Sequence, residues 1–359
     1  MLRLIRPGLT DFAGYSAATS PETLEGKVDV PVSRIIKLDA NENPYGCSPR
    51  VNRALAGYTG FHIYPDDGQT SLRRMLSDYC GVDAANIVAA SGSNRLIDLL
   101  LRLLLEPGDE VINCVPTFGV YAFSTRLCGG QLVEVPRTAD FTVDVAAIRA
   151  AITARTKMVF IASPNNPTGT PVLRQDILEL LATGVPVMVD EAYYEFNGET
   201  VAPLVGEYGN LSVLRSFSKW AGLAGLRIGY GLFPAGIADL VLRTKIPYNL
   251  NAAALVAVAE SLADIDYLMG RVAAIIEERG RLFAELSRID WLRVVPSSAN
   301  FILCQVLRGQ AANLHRELRQ RGILVRYFAE PRLENYIRIS VGRPEDTDAV
   351  IKVLREIGG

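Results

Sequence analysis

Between residues 86 and 233, short apolar runs rich in β-branched side chains alternate with stretches whose apolar positions recur every three or four residues. The short runs predict strands at 87–90, 110–115, 132–135, 158–162, 185–190, 212–215 and 227–232. The helical period predicts helices between several of them, at 94–105 and 174–183. Runs that are apolar throughout belong to strands buried on both faces, so this region reads as an α/β unit with a mostly parallel sheet flanked by helices. In such sheets functional residues gather where strands end and loops begin.

After Pro247 the pattern changes. Residues 252–268 and 271–288 read as long helices, followed by a strand at 301–306, a helix at 311–321 and a strand at 336–341. This is an α+β layout and predicts a second, smaller domain. The first 45 residues are loop-rich, have no core of their own and are expected to pack onto the rest. The division expected is a large domain at 46–250 and a small one made of 1–45 with 251–359.

Composition narrows the function. At 359 residues with 49% hydrophobic and 21% charged positions the chain resembles an ordinary globular protein. A net charge of −2 without basic runs argues against nucleic-acid or membrane-surface partners. The most apolar stretch, 96–105, is broken by Asp98 and Arg102, and the N-terminus has no apolar signal core. Five scattered cysteines, never spaced C-x-x-C, suit a reducing compartment, so the expected location is cytoplasmic. His62 and His315 stand alone, which leaves little for a histidine metal site or a Ser-His-Asp triad. No metal is expected.

Candidate chemistry centres on Lys219, in S-F-S-K-W-A-G-L-A-G-L-R. So apolar a setting disfavours the ammonium form, and a neutral amine attacks aldehydes. Taken alone, such a lysine is more simply a loop side chain reaching solvent. Asp190 ends the apolar strand of V-P-V-M-V-D-E-A-Y-Y-E-F, where an acid is costly unless paired or used as a helix cap. The loop S-P-N-N-P-T-G (163–169) is too proline-rich for helix and offers the Asn166 amide, though a plain turn would look similar. In A-S-G-S-N-R-L, a strand, a glycine turn and a helix start follow one another. The free N–H groups there suit a phosphate or an ordinary N-cap.

Together, Asn166, Asp190, Tyr193, Lys219 and Arg227 resemble the fold-type I pyridoxal-phosphate-dependent aminotransferases. L-D-A-N-E-N-P-Y-G (38–46), Y-P-D (64–66) and Y-I-R-I-S-V-G (336–342) resemble the histidinol-phosphate branch of that family. The resemblance spans essentially the whole chain. It implies that Lys219 holds pyridoxal 5'-phosphate and shuttles a proton. Asp190 would pair with the ring nitrogen, Asn166 and Tyr193 contact the ring oxygen, and Phe118 stack on the ring. It assigns the phosphate to Ser93, Asn94, Ser216, Ser218 and Arg227, with Asn94 standing where aspartate is common. Tyr64 would reach the cofactor of a neighbouring subunit, which implies a homodimer. Arg338 and Arg326 would grip anionic substrate groups, with Tyr15 and Asn43 as further contacts. The implied reaction moves an amino group between L-histidinol phosphate and 2-oxoglutarate, giving imidazole acetol phosphate and glutamate in histidine biosynthesis. An aromatic amino-acid aminotransferase and a threonine-phosphate decarboxylase share the pattern. A non-catalytic regulator that binds the cofactor is a further alternative, although such proteins can lose the lysine or the substrate arginine that this chain keeps.

Overall fold

A computed structural model describes all residues except Met1, Pro7, Gly8, Asp11, Ala13, Ser16, Ala17, Thr19 and Gly359. Its strands, in chain order, are β1 (Ile36–Leu38), β2 (Ile87–Ala90), β3 (Glu110–Val115), β4 (Gln131–Pro136), β5 (Thr156–Ala162), β6 (Val187–Asp190), β7 (Leu211–Ser216), β8 (Gly229–Leu232), β9 (Leu292–Val295), β10 (Phe301–Val306), β11 (Ile323–Tyr327) and β12 (Tyr336–Ser340).

Seven strands form one sheet in the order β2-β8-β7-β6-β5-β3-β4. Only β8 runs against its neighbours; the other pairings are parallel. Alternate residues of these strands feed different cores. Val159, Ile161, Val187, Val189 and Val213 join one apolar cluster, and Met158, Phe160, Ala162, Met188 and Leu214 join the other. Both faces are therefore dry, which is why the strands read as unbroken apolar runs. The 227–232 run enters its strand late because Arg227 is left-handed, at φ 54.

The second sheet has the order β1-β11-β12-β10-β9. Its edge comes from the N-terminal segment, since β1 pairs in parallel with β11 (Ile36↔Ile323). The expected helix 252–268 is instead two elements, Ala252–Leu262 and the start of Ile265–Ser287. The break falls at Asp264, whose carboxylate accepts a hydrogen bond from the Ser48 hydroxyl of the N-terminal region. Among the described residues no helix is long and apolar enough to cross a membrane. One continuous apolar cluster runs from the large sheet through the helix Ile265–Ser287 into the second sheet, so the two share a core.

Where the loop after β7 meets the 38–46 segment, packing is closest at Gly222. This residue has φ +68, and a Cβ built on it would lie 2.3 Å from the Gly46 carbonyl oxygen. Backbone cannot yield as a flexible side chain does. Gly222→Ala should therefore cost about 2 kcal/mol or more in denaturant unfolding. Gly236→Ala, in the helix Ala235–Thr244 with open space around it, should leave stability unchanged or slightly raised.

Candidate active site

At the carboxyl ends of β5, β6 and β7, facing the second sheet, lies a cavity of about 430 Å³. Lys219 reaches it from a loop pinned by its neighbours. Phe217 and Trp220 are fully buried, the Phe217 N–H bonds to the Ile228 carbonyl, and Trp220 stacks on Tyr79 at 5.5 Å. Only the lysine among these turns into the cavity. Its Nζ donates to the Ala40 carbonyl at 2.9 Å. Burial, and then the Arg338 guanidinium, lower its pKa to about 8, with the Glu42 carboxylate opposing and Arg227 adding to the effect.

Asp190, the last residue of β6, is buried. Its Oδ2 accepts from the Tyr121 hydroxyl at 2.7 Å and its Oδ1 from the Ala192 N–H at 3.1 Å. Burial raises its pKa, and those two donors pull it back. Tyr193 follows three residues later; its hydroxyl accepts from Asn41 Nδ2 at 2.9 Å, and burial lifts its pKa to about 12. Asn166 faces the cavity because Asn165 beside it secures the loop. Asn165 is fully buried, donates to Pro116 O and Thr168 Oγ1, and accepts from Thr117 Oγ1.

One corner is a cup for an anion. Gly92, at φ 84, opens the helix Ser93–Leu104, and Ser93, Asn94, Ser216, Ser218 and Arg227 all border the cavity there. A Cβ on Gly92 would sit 2.7 Å from Arg227 Nη2, and one on Gly229 would sit 2.5 Å from the Ser93 nitrogen. Glycine at both positions keeps the helix start and the guanidinium close together. Free N–H groups and the positive end of the helix dipole favour a phosphate at such a place.

The opposite wall comes from the second sheet. Arg326 and Arg338 are directly opposed on β11 and β12 and both line the cavity. Arg338 is buried, donates to Asn166 Oδ1 and to the Asp39 carbonyl at 2.6 Å each, and burial lowers its pKa to about 10. Its buried Nε has no hydrogen-bond partner among the described residues. Tyr15 and Phe118 close a side, ring edge to ring face at 6.0 Å.

Two residues singled out in the sequence do not line this cavity. Asn43 is buried and spent on structure: its Nδ2 donates to Trp220 O at 2.8 Å and its Oδ1 accepts the Tyr45 N–H. Its amide thereby supports the Lys219 loop. Tyr64 is 77% exposed and stacks on Tyr248 at 4.4 Å, away from this chain's own cavity. Conversely, sequence reasoning missed Tyr121, hidden in a helix of apolar spacing, and Asn41. Asn41 lies two residues from Asn43 in the same motif, and its positive φ of 55 had no sequence signal beyond its being asparagine.

The residues fit pyridoxal phosphate: a depressed lysine amine, a buried acid for a ring nitrogen, an aromatic wall and a glycine-lined anion cup. The family model for aminotransferase class I and II matches residues 33–354. The chain is 52% identical to a histidinol-phosphate aminotransferase of Dehalococcoides mccartyi (strain CBDB1), over 99% of this chain and 98% of that protein. It is 47% identical to one from Roseiflexus castenholzii, with the same coverage. Among solved structures, it resembles the histidinol-phosphate aminotransferase of Sinorhizobium meliloti in complex with pyridoxal-5'-phosphate. That match has a TM-score of 0.88 and 26% identity over 99% of this chain and 97% of that one. The L-threonine-O-3-phosphate decarboxylase of Porphyromonas gingivalis shares the fold, with TM-score 0.79 and 24% identity over 90% and 99% of the two chains.

The lowered pKa of Lys219 has a direct readout. In the cofactor-free protein its modification by an amine-reactive acylating reagent, followed by peptide mass spectrometry, should rise with pH to a midpoint near 8.

Proposed function

The chain belongs to the class I and II aminotransferases, and we propose that it transfers an amino group between L-histidinol phosphate and 2-oxoglutarate, in histidine biosynthesis. The observation that carries this reading is the opposed pair Arg326 and Arg338, lining the same cavity as Lys219. Two guanidinium groups suit a site that must accept glutamate and a phosphorylated amine in turn. Relatives with the histidinol-phosphate name over nearly the whole chain support the substrate.

Pyridoxal phosphate, when bound, supplies a sink for the charge that develops at the substrate Cα. Lys219 would anchor it and then carry the proton between the substrate Cα and the cofactor C4′. That role needs an amine that is neutral near pH 8, and burial beside Arg338 provides it. Asp190 would keep the ring nitrogen protonated; Tyr121 and the Ala192 N–H hold that carboxylate in place and favour its charged form. Asn166 and Tyr193 would meet the ring oxygen, and Phe118 would cover a ring face. Ser93, Asn94, Ser216, Ser218 and Arg227 would bind the phosphate. Arg338 and Arg326 would take the substrate anions, with Tyr15 closing over them.

A division into a cofactor-holding part, 46–250, and a substrate-gripping part, 1–45 with 251–359, belongs to the same proposal. So does a homodimer, which is supported by a cluster of exposed apolar side chains: Phe61, Ile63, Tyr64, Ile246 and Tyr248. In it Tyr64 would complete the partner's site. A cytoplasmic location is supported by the five cysteines, all free thiols.

Adding L-histidinol phosphate to the holoenzyme should convert the absorbance of the bound cofactor to that of its amine form in one turnover. Phenylalanine and threonine phosphate should do so far more slowly; a faster reaction with either would overturn the substrate assignment. Lys219→Ala should lower turnover by about a thousandfold or more. Mixing Lys219→Ala with Tyr64→Ala subunits should recover activity above both parents, because one site of each hybrid dimer is then intact. No recovery, with hybrids verified by mass spectrometry, would count against the shared site.

A further inference from the structure

β11 ends at Tyr327, yet Arg326, Phe328 and Glu330 all line the cavity while Tyr327 and Ala329 do not. This is the two-residue period of an extended chain, carried past the strand end. Burial falls along it: Arg326 and Phe328 are half-buried and Glu330 is exposed at the mouth. The wall thus presents a cation, an aromatic ring and a carboxylate in order.

Three carboxylates border the cavity. Asp190 accepts from Tyr121 and the Ala192 N–H, and Glu42 accepts from Lys37 at 2.7 Å. The Glu330 side chain has no hydrogen bond or ion pair among the described residues. Partial burial raises its pKa above the usual glutamate value, and the Arg326 charge opposes that rise.

Resting on the proposed reaction, we infer that Glu330 is a specificity-determining residue whose carboxylate accepts the imidazole N–H of the substrate, with Phe328 and Tyr15 flanking that ring. Once the amine is held near Lys219 and the phosphate at Arg326 and Arg338, one arm of the substrate remains. That arm is a planar ring with an N–H donor, neutral or cationic. A carboxylate accepts this donor in either state. A phenyl ring in the same place would take the acid out of water and return no hydrogen bond. Glu330 also repels the side-chain carboxylate of glutamate and directs it to the arginines, so one wall sorts the two substrates by charge.

The test uses holoenzymes of the wild type, Glu330→Ala and Glu330→Gln. Each is assayed with L-histidinol phosphate and with L-phenylalaninol phosphate, which keeps the amine and phosphate but carries a phenyl ring. Glu330→Ala should lower the ratio of kcat/KM values, histidinol over phenylalaninol, about tenfold, chiefly through KM. Glu330→Gln, whose amide oxygen still accepts, should restore part of it. A ratio within twofold of wild type in Glu330→Ala, or an equal loss on both substrates through kcat, overturns the assignment. Wild-type protein that fails to convert histidinol phosphate overturns the proposed reaction itself, and this inference with it.

Discussion

Three consecutive residues, Asp39 to Asn41, hold the site together. The Asp39 carbonyl accepts from Arg338, the Ala40 carbonyl from Lys219, and the Asn41 carbonyl from Asn300. The Asn41 side chain adds a bond to Tyr193 and another from Ser340. A short piece of N-terminal backbone thus fixes the lysine from one sheet and the arginine from the other on the same ruler. Buried backbone carbonyls must find donors, and here two of the three donors, Lys219 and Arg338, are side chains that border the cavity. Positioning of the site and satisfaction of the backbone are one constraint.

The same arrangement sets the electrostatics. Lys219, Arg338 and Asp190 are all desolvated, and each is moved toward its neutral form. The bonds each makes resist that shift unequally. Asp190 has two donors, Arg338 two acceptors, and Lys219 one carbonyl with two guanidinium groups nearby. Of the two bases the lysine is accordingly brought closer to neutral pH, about 8 against about 10 for Arg338, and it owes this to where its loop is pinned.

How much of this was legible in the sequence depended on the kind of signal. The seven-stranded sheet was readable because dry strands give continuous apolar runs. The order of Asn166, Asp190, Lys219 and Arg227 was readable because each terminates or follows such a run. Strands β1, β9 and β11 left weaker traces: β1 has three residues, and its partner lies nearly 290 positions away (Ile36↔Ile323). Asn41 and Asn43 could not be told apart, since one turns to Tyr193 and the other to Trp220 through backbone angles that composition does not encode. Tyr121 was invisible for a simpler reason. Its ring packs like any core aromatic, stacked on Phe160 at 4.7 Å, and only its hydroxyl reports on Asp190.

The opposed arginines of β11 and β12 carry a further meaning for the folded state. Like charges facing each other across antiparallel strands weaken the pairing they sit in. An anion bound between the two would offset the repulsion that Arg326 exerts on Arg338. Ligand affinity and sheet stability are then linked quantities: whatever binds between Arg326 and Arg338 also tightens the strands that present them.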